Sequence, residues 1–481
     1  MALSERTAFP MTQHPTIIQG GMGVAVSSWQ LANTVARAGG LGVVSGTALD
    51  GVVARVLQDG DPEGHARRAI AHFPVPEIAE RVLDAYFLPG GRPEGQPYRP
   101  HPTLTISPSR AAIELSLVGN FVEVWLAKEG HDGVVGINFL QKIQTATLSA
   151  TLGAMLAGVD YVLMGAGIPK EMPRVLTEFA AGRPGRLTIE VENQTKTHTA
   201  VLDPVTYLGD AVATLNRPLF LAIISLHVLG GYLARDAEIR PDGFVVEGPV
   251  AGGHSAPPRG KLALNEHGEP IYSPKDEADV EKMVALGLPF WLAGAWSTPE
   301  KVAAARAAGA VGVQCGTIFA LAKESGLTDE IRDQLLYELR AGTLKVKNDA
   351  LASPTGFPFK VARLPGTLSE PEVYEARNRI CDLGYLRQPA EVGDGKIVYR
   401  CASEPEHMFE RKGGDPAQTV GRKCLCNALF ANIGMPQRRK DGYEEEPAVT
   451  LGSDLAGAHG LQAAFPDGWT GAQAVDWLLG R

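Results

Sequence analysis

Eight short apolar runs recur along the first two thirds of the chain, at 16–21, 41–46, 134–139, 161–167, 219–225, 243–247, 290–294 and 311–316. Most end in glycine, and most are followed by an Ala-rich helical pattern. None alternates apolar with polar residues, as a strand wet on one face would. Continuous apolar runs belong to strands of a parallel sheet covered on both faces. Between them, 31–38 carries an Ala/Val pattern closed by Gly39 and Gly40, and 147–156 closes at Gly158. Another helix is expected from Pro299 to Ala308, with Thr298 as N-cap and proline in its first turn. Strands and helices alternating eight times predict an α/β fold, a (β/α)8 barrel. A doubly wound open sheet is the competing architecture, and it has no need of eight units.

Three stretches interrupt this rhythm. Residues 50–130 hold a Gly/Pro-rich loop at 89–102 and a helical pattern at 109–128. Residues 187–203 read as a hairpin about Glu192, Asn193 and Gln194, and 261–273 as a second about Glu266 to Glu269. Beyond about 342 the chain is rich in Gly, Pro and charge and lacks clear strand runs. The expected organisation is a barrel over 1–341, carrying the insertion and hairpins, and an extension over 342–481 packed on it.

Composition narrows the class of function. Apolar residues are 44% and charged residues 21%, ordinary for a globular chain. The net charge of −9 argues against nucleic-acid or anionic-membrane partners, which need a basic surface. Five sparsely spaced cysteines are no disulfide framework, and Cys424 and Cys426 with Cys401 and Cys381 have the wrong spacing for zinc or iron–sulfur motifs. Residues 1–7 lack the basic-then-apolar order of a signal peptide. The longest apolar run, 219–234, is interrupted by His227 and two glycines and is short for a membrane span. A cytoplasmic location is expected.

Candidate chemistry gathers at the ends of the runs, where a barrel builds its reactive face. The sixth ends at Glu247 and is followed by Gly252, Gly253 and His254. Glycines there let backbone approach a ligand, and a histidine can serve as acid, base or hydrogen-bond donor. A purely structural histidine is the competing reading. Gly294 and Ala295 follow the seventh run, while Gln314, Gly316 and Thr317 close the eighth. Loops at these two positions often hold a dianion through backbone N–H groups; tight turns would also explain the glycines. Gly20, Gly21, Met22 and Gly23 follow the first run and could take a flat ring against bare backbone. Asn138 and Gly165, ending the third and fourth, complete the candidate set.

In these residues, and in their order over about 15–325, the chain resembles the nitronate monooxygenase family, formerly called 2-nitropropane dioxygenases, whose relatives include FMN-dependent enoyl reductases. The resemblance implies a barrel with FMN at its C-terminal face, the FMN phosphate at Gly294 and at Gly316 and Thr317, and the ring near Gly21 and Met22. It implies oxidation of alkyl nitronates with dioxygen to a carbonyl compound and nitrite. His254 would bind the nitro group or take the α-proton. This chain departs from the family with Val250 before Ala251, with Ser255, Ala256, Pro257 and Pro258 after His254, and with Ala295 and Trp296 after Gly294. It is also longer, which suits a larger substrate bounded by 50–130 and the C-terminal region.

The alternative enzyme is an FMN-dependent NAD(P)H enoyl reductase of fatty-acid or polyketide synthesis. A non-enzymatic scaffold is the third reading, opposed by His254 and the intact glycine loops. The expected partners are a small-molecule substrate and, as a candidate, NAD(P)H; self-association is left open. The run 353–360, Ser-Pro-Thr-Gly-Phe-Pro-Phe-Lys, either wraps back over the site or is a packed connector.

Overall fold

A computed structural model describes residues 14–393 and 395–481. The segment 1–7, read above for a leader, lies outside them. Eight parallel strands close into a barrel: β1 (Ile17–Gln19), β2 (Leu41–Ser45), β3 (Val135–Leu140), β4 (Tyr161–Gly165), β5 (Leu219–Ile224), β6 (Gly243–Glu247), β7 (Phe290–Ala293) and β8 (Gly312–Cys315). Neighbours in sequence are neighbours in the sheet, and β8 closes on β1 with Ile17 opposite Val313. All eight apolar runs became barrel strands, and the open sheet is excluded.

The strands are apolar throughout because both faces are covered. Ile18, Val43, Leu163, Leu221, Val245 and Trp291 fill the interior as one cluster. Their outward neighbours, among them Ile17, Val44, Val162, Phe220 and Val246, pack into the larger cluster beneath the helices. The fully buried Trp291 donates its indole N–H to the Pro15 carbonyl at 2.8 Å, and His14 Nδ1 lies 2.9 Å from the Tyr161 hydroxyl. These contacts close the N-terminal mouth, so the opposite end is the one open to ligands.

Local signals set the helices. Ser109 caps Arg110–Lys128 by accepting from Ala112 N, and Thr298 caps Pro299–Ala307 by accepting from Lys301 N. Four helices, Leu49–Gln58, His65–Ile70, Pro76–Tyr86 and Arg110–Lys128, occupy the connection from β2 to β3. Gly185–Ile189 pairs antiparallel with His198–Leu202. The 261–273 stretch is less regular than a hairpin, with one bridge from Leu264 to Pro270. Beyond residue 342 the absence of strand runs is corrected. Val346–Asp349 pairs with Phe359–Ala362, and Gln388–Val392 with Lys396–Arg400. Those strands mix charged and apolar residues, so they escaped a search for apolar runs. No helix among the described residues is long and apolar enough to cross a membrane.

Candidate active site

The C-terminal ends of the barrel strands open into two communicating cavities, with about 960 and 820 Å³ of space. Every residue singled out in the sequence lines one or both. Asn138, Gly165 and His254 line the first. Gly20, Met22, Gly294, Ala295, Gly316 and Thr317 line the second. Gly21, Gly23, Glu247, Gly252, Gly253 and Gln314 line both, which makes the cavities continuous.

The loop after β1 is held rigid from below. Gln19 is fully buried, and its amide bonds the Gly20 carbonyl at 2.7 Å, Ser27 Oγ at 2.9 Å and both backbone groups of Val43 at 3.0 Å. Ser27 Oγ in turn accepts from Met22 N at 2.9 Å. At Gly21 a Cβ would fall 2.3 Å from the Asn138 Cβ, so no side chain fits between this loop and β3.

The loops after β6, β7 and β8 form the second wall. Gly294 and Ala295 both take left-handed backbone, φ +76° and +61°, which turns the chain sharply off the strand. An unforeseen segment, residues 450–453, seals this wall. Gly452 donates its N–H to Thr317 Oγ1 at 2.9 Å, Gly253 N donates to Thr450 Oγ1 at 3.0 Å, and Ser453 N to the Val250 carbonyl at 3.0 Å. Gln314 Oε1 is buried here without a hydrogen-bond partner. A buried amide oxygen left so is costly, and here it is free to accept from a ligand in either cavity.

His254 is fixed from an element distant in sequence. Its Nε2 lies 2.7 Å from Ser353 Oγ, which is itself 2.8 Å from Thr355 Oγ1. Phe359 meets the ring edge-on at 4.9 Å. The backbone pairs as well: Ser255 N donates to Pro358 O at 2.9 Å, and Lys360 N to Gly253 O at 3.0 Å. The 353–360 run therefore does wrap over the site. Burial, helped by the nearby Lys142 ammonium, pushes the His254 pKa down to about 4. The imidazole is neutral at physiological pH.

Glu247 faces both cavities, and burial raises its carboxyl to about 7 against the opposing pull of Lys360. Lys360 is 1% exposed, and its ammonium donates to the Pro249 carbonyl at 2.6 Å and to Ser255 Oγ at 2.9 Å. It ties together both ends of the loop that carries His254. Burial lowers its pKa to about 8, with Glu247 resisting. A third cavity of about 1230 Å³ shares Glu247, Ala251 and His254, and Ile168, Ile223, Leu229 and Phe357 give it apolar walls.

Sequence reasoning missed Lys360, Ser353 and the 450–453 segment as parts of the site. The first two lie in the 353–360 run, whose Pro/Gly/aromatic composition was the available signal; 450–453 carried none. Burial raises the Cys315 thiol, at the end of β8, to about 12, so it is unreactive. Among the described residues, no group of three or more His, Cys, Asp or Glu is placed to hold a metal ion.

Residues 220–351 match the family model described as nitronate monooxygenase. That stretch holds Glu247, Gly252, Gly253, His254, Gly294, Ala295, Gln314, Gly316 and Thr317, so the resemblance read from the motifs is met there. No curated protein matches the sequence. Among solved structures, the chain is similar to FabK from Thermotoga maritima, with 17% identity and a TM-score of 0.47 over 97% of this chain and 92% of that one. It is similar to nitroalkane oxidase from Streptomyces ansochromogenes, with 15% identity and a TM-score of 0.44 over 98% and 96% of the two chains. It is also similar to the enoyl reductase domain of MlnA from Bacillus amyloliquefaciens, with 11% identity and a TM-score of 0.44 over 98% and 94%.

Proposed function

We propose that this protein is an FMN-dependent oxidoreductase of the nitronate monooxygenase kind, oxidising an alkyl nitronate with dioxygen to a carbonyl compound and nitrite. The observation that carries the reading is His254, locked by Ser353, where the glycine-lined first cavity on the open face of the barrel meets the third. The family match over 220–351 supports the same class.

The residues present fit FMN. Gly21 leaves bare backbone beside Asn138, and the partnerless Gln314 Oε1 suits a ring N–H. Gly294, Ala295, Gly316 and Thr317 would hold the phosphate through backbone N–H groups. Bound FMN supplies the redox chemistry, while the protein orients the substrate and excludes water.

A nitronate reaches the enzyme already deprotonated at carbon. The site therefore needs a group that binds and orients the nitro oxygens, not a strong base. His254 fits that task. With a pKa near 4 it is a weak base, but it remains a neutral hydrogen-bonding group across the working pH range. Glu247, near 7, is the group able to hold or release a proton beside the substrate. Lys142, close enough to depress His254, gives the substrate's anionic head a favourable field.

The apolar third cavity beside His254 favours a second reading, reduction of an enoyl thioester by NAD(P)H, because it has room for an acyl chain. Anaerobic mixing of the flavin-loaded enzyme separates the two. Bleaching of the flavin by a nitronate alone supports the first. Bleaching only by NADH or NADPH, with reoxidation by an enoyl thioester, would replace it with the second.

A further inference from the structure

Away from the active face, a cavity of about 640 Å³ opens outside the barrel among four helices, Trp29–Arg37, Leu49–Gln58, His65–Ile70 and Arg110–Lys128. None of the residues lining it lines the three cavities of the active face. Val53, Val56, Val122 and Leu126 give it apolar walls, and the rings of Trp29 and His65, edge-on at 5.0 Å, give it an aromatic one. Among the described residues no Lys or Arg lines it, whereas Asp61, Glu63 and Glu123 do.

These three carboxylates are not equivalent. Asp61 is fully engaged, accepting from Ala66 N at 3.1 Å, Arg67 N at 2.9 Å and Arg67 Nε at 3.1 Å. Glu63 is exposed, with Oε2 2.7 Å from His65 Nε2. Glu123 is 9% exposed, and only its Oε2 is engaged, accepting from Trp29 N at 3.1 Å. The helix that starts there has its own cap, since Ser28 Oγ accepts from Leu31 N at 3.3 Å. Among the described residues nothing donates to Glu123 Oε1 and no cation pairs with the carboxyl, which burial lifts to about 7 against the Trp29 N–H alone. His65 supplies an independent sign, because its Nδ1 is buried without a hydrogen-bond partner. When Nε2–H donates to Glu63, Nδ1 is an acceptor left free. Two acceptors that the protein leaves unmet therefore belong to one cavity, and burying either so is costly.

We propose that this cavity is a second ligand site, which takes a small organic cation, a primary ammonium carried on an apolar or aromatic body. The inference is independent of the flavin reading. An ammonium brings three N–H donors, enough for Glu123 Oε1 and His65 Nδ1, and the Glu123 carboxylate supplies its countercharge. The valine and leucine walls cover the apolar body, and the Trp29 indole is a surface that attracts cations. An anionic ligand would be repelled by Glu123 and Glu63. A bare metal ion does not fit, since among the described residues no group of three or more His, Cys, Asp or Glu is placed to hold one.

The test is isothermal titration calorimetry of the full-length protein as purified, with 2-phenylethylammonium and, as its uncharged counterpart, 2-phenylethanol. The wild type should bind the ammonium at least about tenfold more tightly than the alcohol, the size of one buried charge-assisted hydrogen bond. Glu123→Gln keeps an acceptor for Trp29 N and the shape of the wall, and should remove that preference. His65→Phe keeps a ring against Trp29 and removes the Nδ1 acceptor; it should weaken ammonium binding about fivefold, and it carries the test if circular dichroism shows Glu123→Gln unfolded. Failure of the wild type to bind the ammonium, equal affinity for the two probes, or a preference that survives in either folded variant at full strength would overturn the proposal.

Discussion

His254 Nε2 and Ser353 Oγ lie 2.7 Å apart, although 99 residues separate them. The hydroxyl also accepts from Thr355 N at 3.2 Å, which fixes it, and the fixed hydroxyl fixes the imidazole. His254 thus presents its ring to the cavity in one orientation, whatever the loop around it does.

Ser353→Ala removes that anchor while leaving the cavity walls in place. Turnover should fall about tenfold, the size of one lost orienting hydrogen bond, with bound flavin unchanged. Steady-state kinetics beside the flavin-to-protein absorbance ratio checks this. Loss of flavin in step with activity would contradict it.

His254→Ala should retain FMN and slow flavin reduction by about 100-fold or more. Anaerobic stopped-flow at saturating substrate measures it. An unchanged rate and affinity would remove His254 from the reaction.

Lys360→Met should cost about 3 kcal/mol of stability, because it leaves the Pro249 carbonyl, Ser255 Oγ and Glu247 without their buried cation. Urea unfolding gives the value. A cost below about 1 kcal/mol would mean that the ammonium contributes little net binding to its partners.

The pH dependence follows from Glu247 and His254. Glu247 has its folded pKa raised from 4.5 to about 7, so its stabilising contribution is full below 4.5 and is lost as pH rises through 7. His254 is lowered from 6.5 to about 4, so its contribution is full above 6.5 and is lost as pH falls through 4. The two oppose each other between pH 4.5 and 6.5. Glu247→Gln should remove the first alone. The variant should then gain up to about 3 kcal/mol relative to wild type between pH 4.5 and 7. A pH-independent difference between the two proteins would show that Glu247 does not titrate there.

Gly21→Ala should bring the new methyl into Asn138, 2.3 Å from its Cβ, and so distort the loop after β1. Flavin content should drop while the folded core persists. Absorbance and circular dichroism together read this out. Full flavin occupancy would show that the loop yields without disturbing the cofactor site.

The pattern of residues alone specified the barrel, because strands buried on both faces must be apolar throughout, and that requirement is written locally in each of the eight runs. It also specified which candidate residues come together. Gly21, Asn138, Glu247, His254, Gly294 and Gln314 each end or follow a strand, and a closed parallel barrel brings all such ends to one rim. Tertiary structure alone decided what holds and tunes that rim. Ser353 and Lys360 clamp His254 from in and beside a short strand that mixes charged and apolar residues, and Thr450 and Gly452 seal the second wall from still further along the chain. Such contacts have no local periodicity, since they depend on which distant segment is packed against the rim. The protonation states were likewise decided by burial: a histidine neutral down to about pH 4 and a carboxyl titrating near 7 are properties of the enclosed cavity, not of the residues as they stand in sequence.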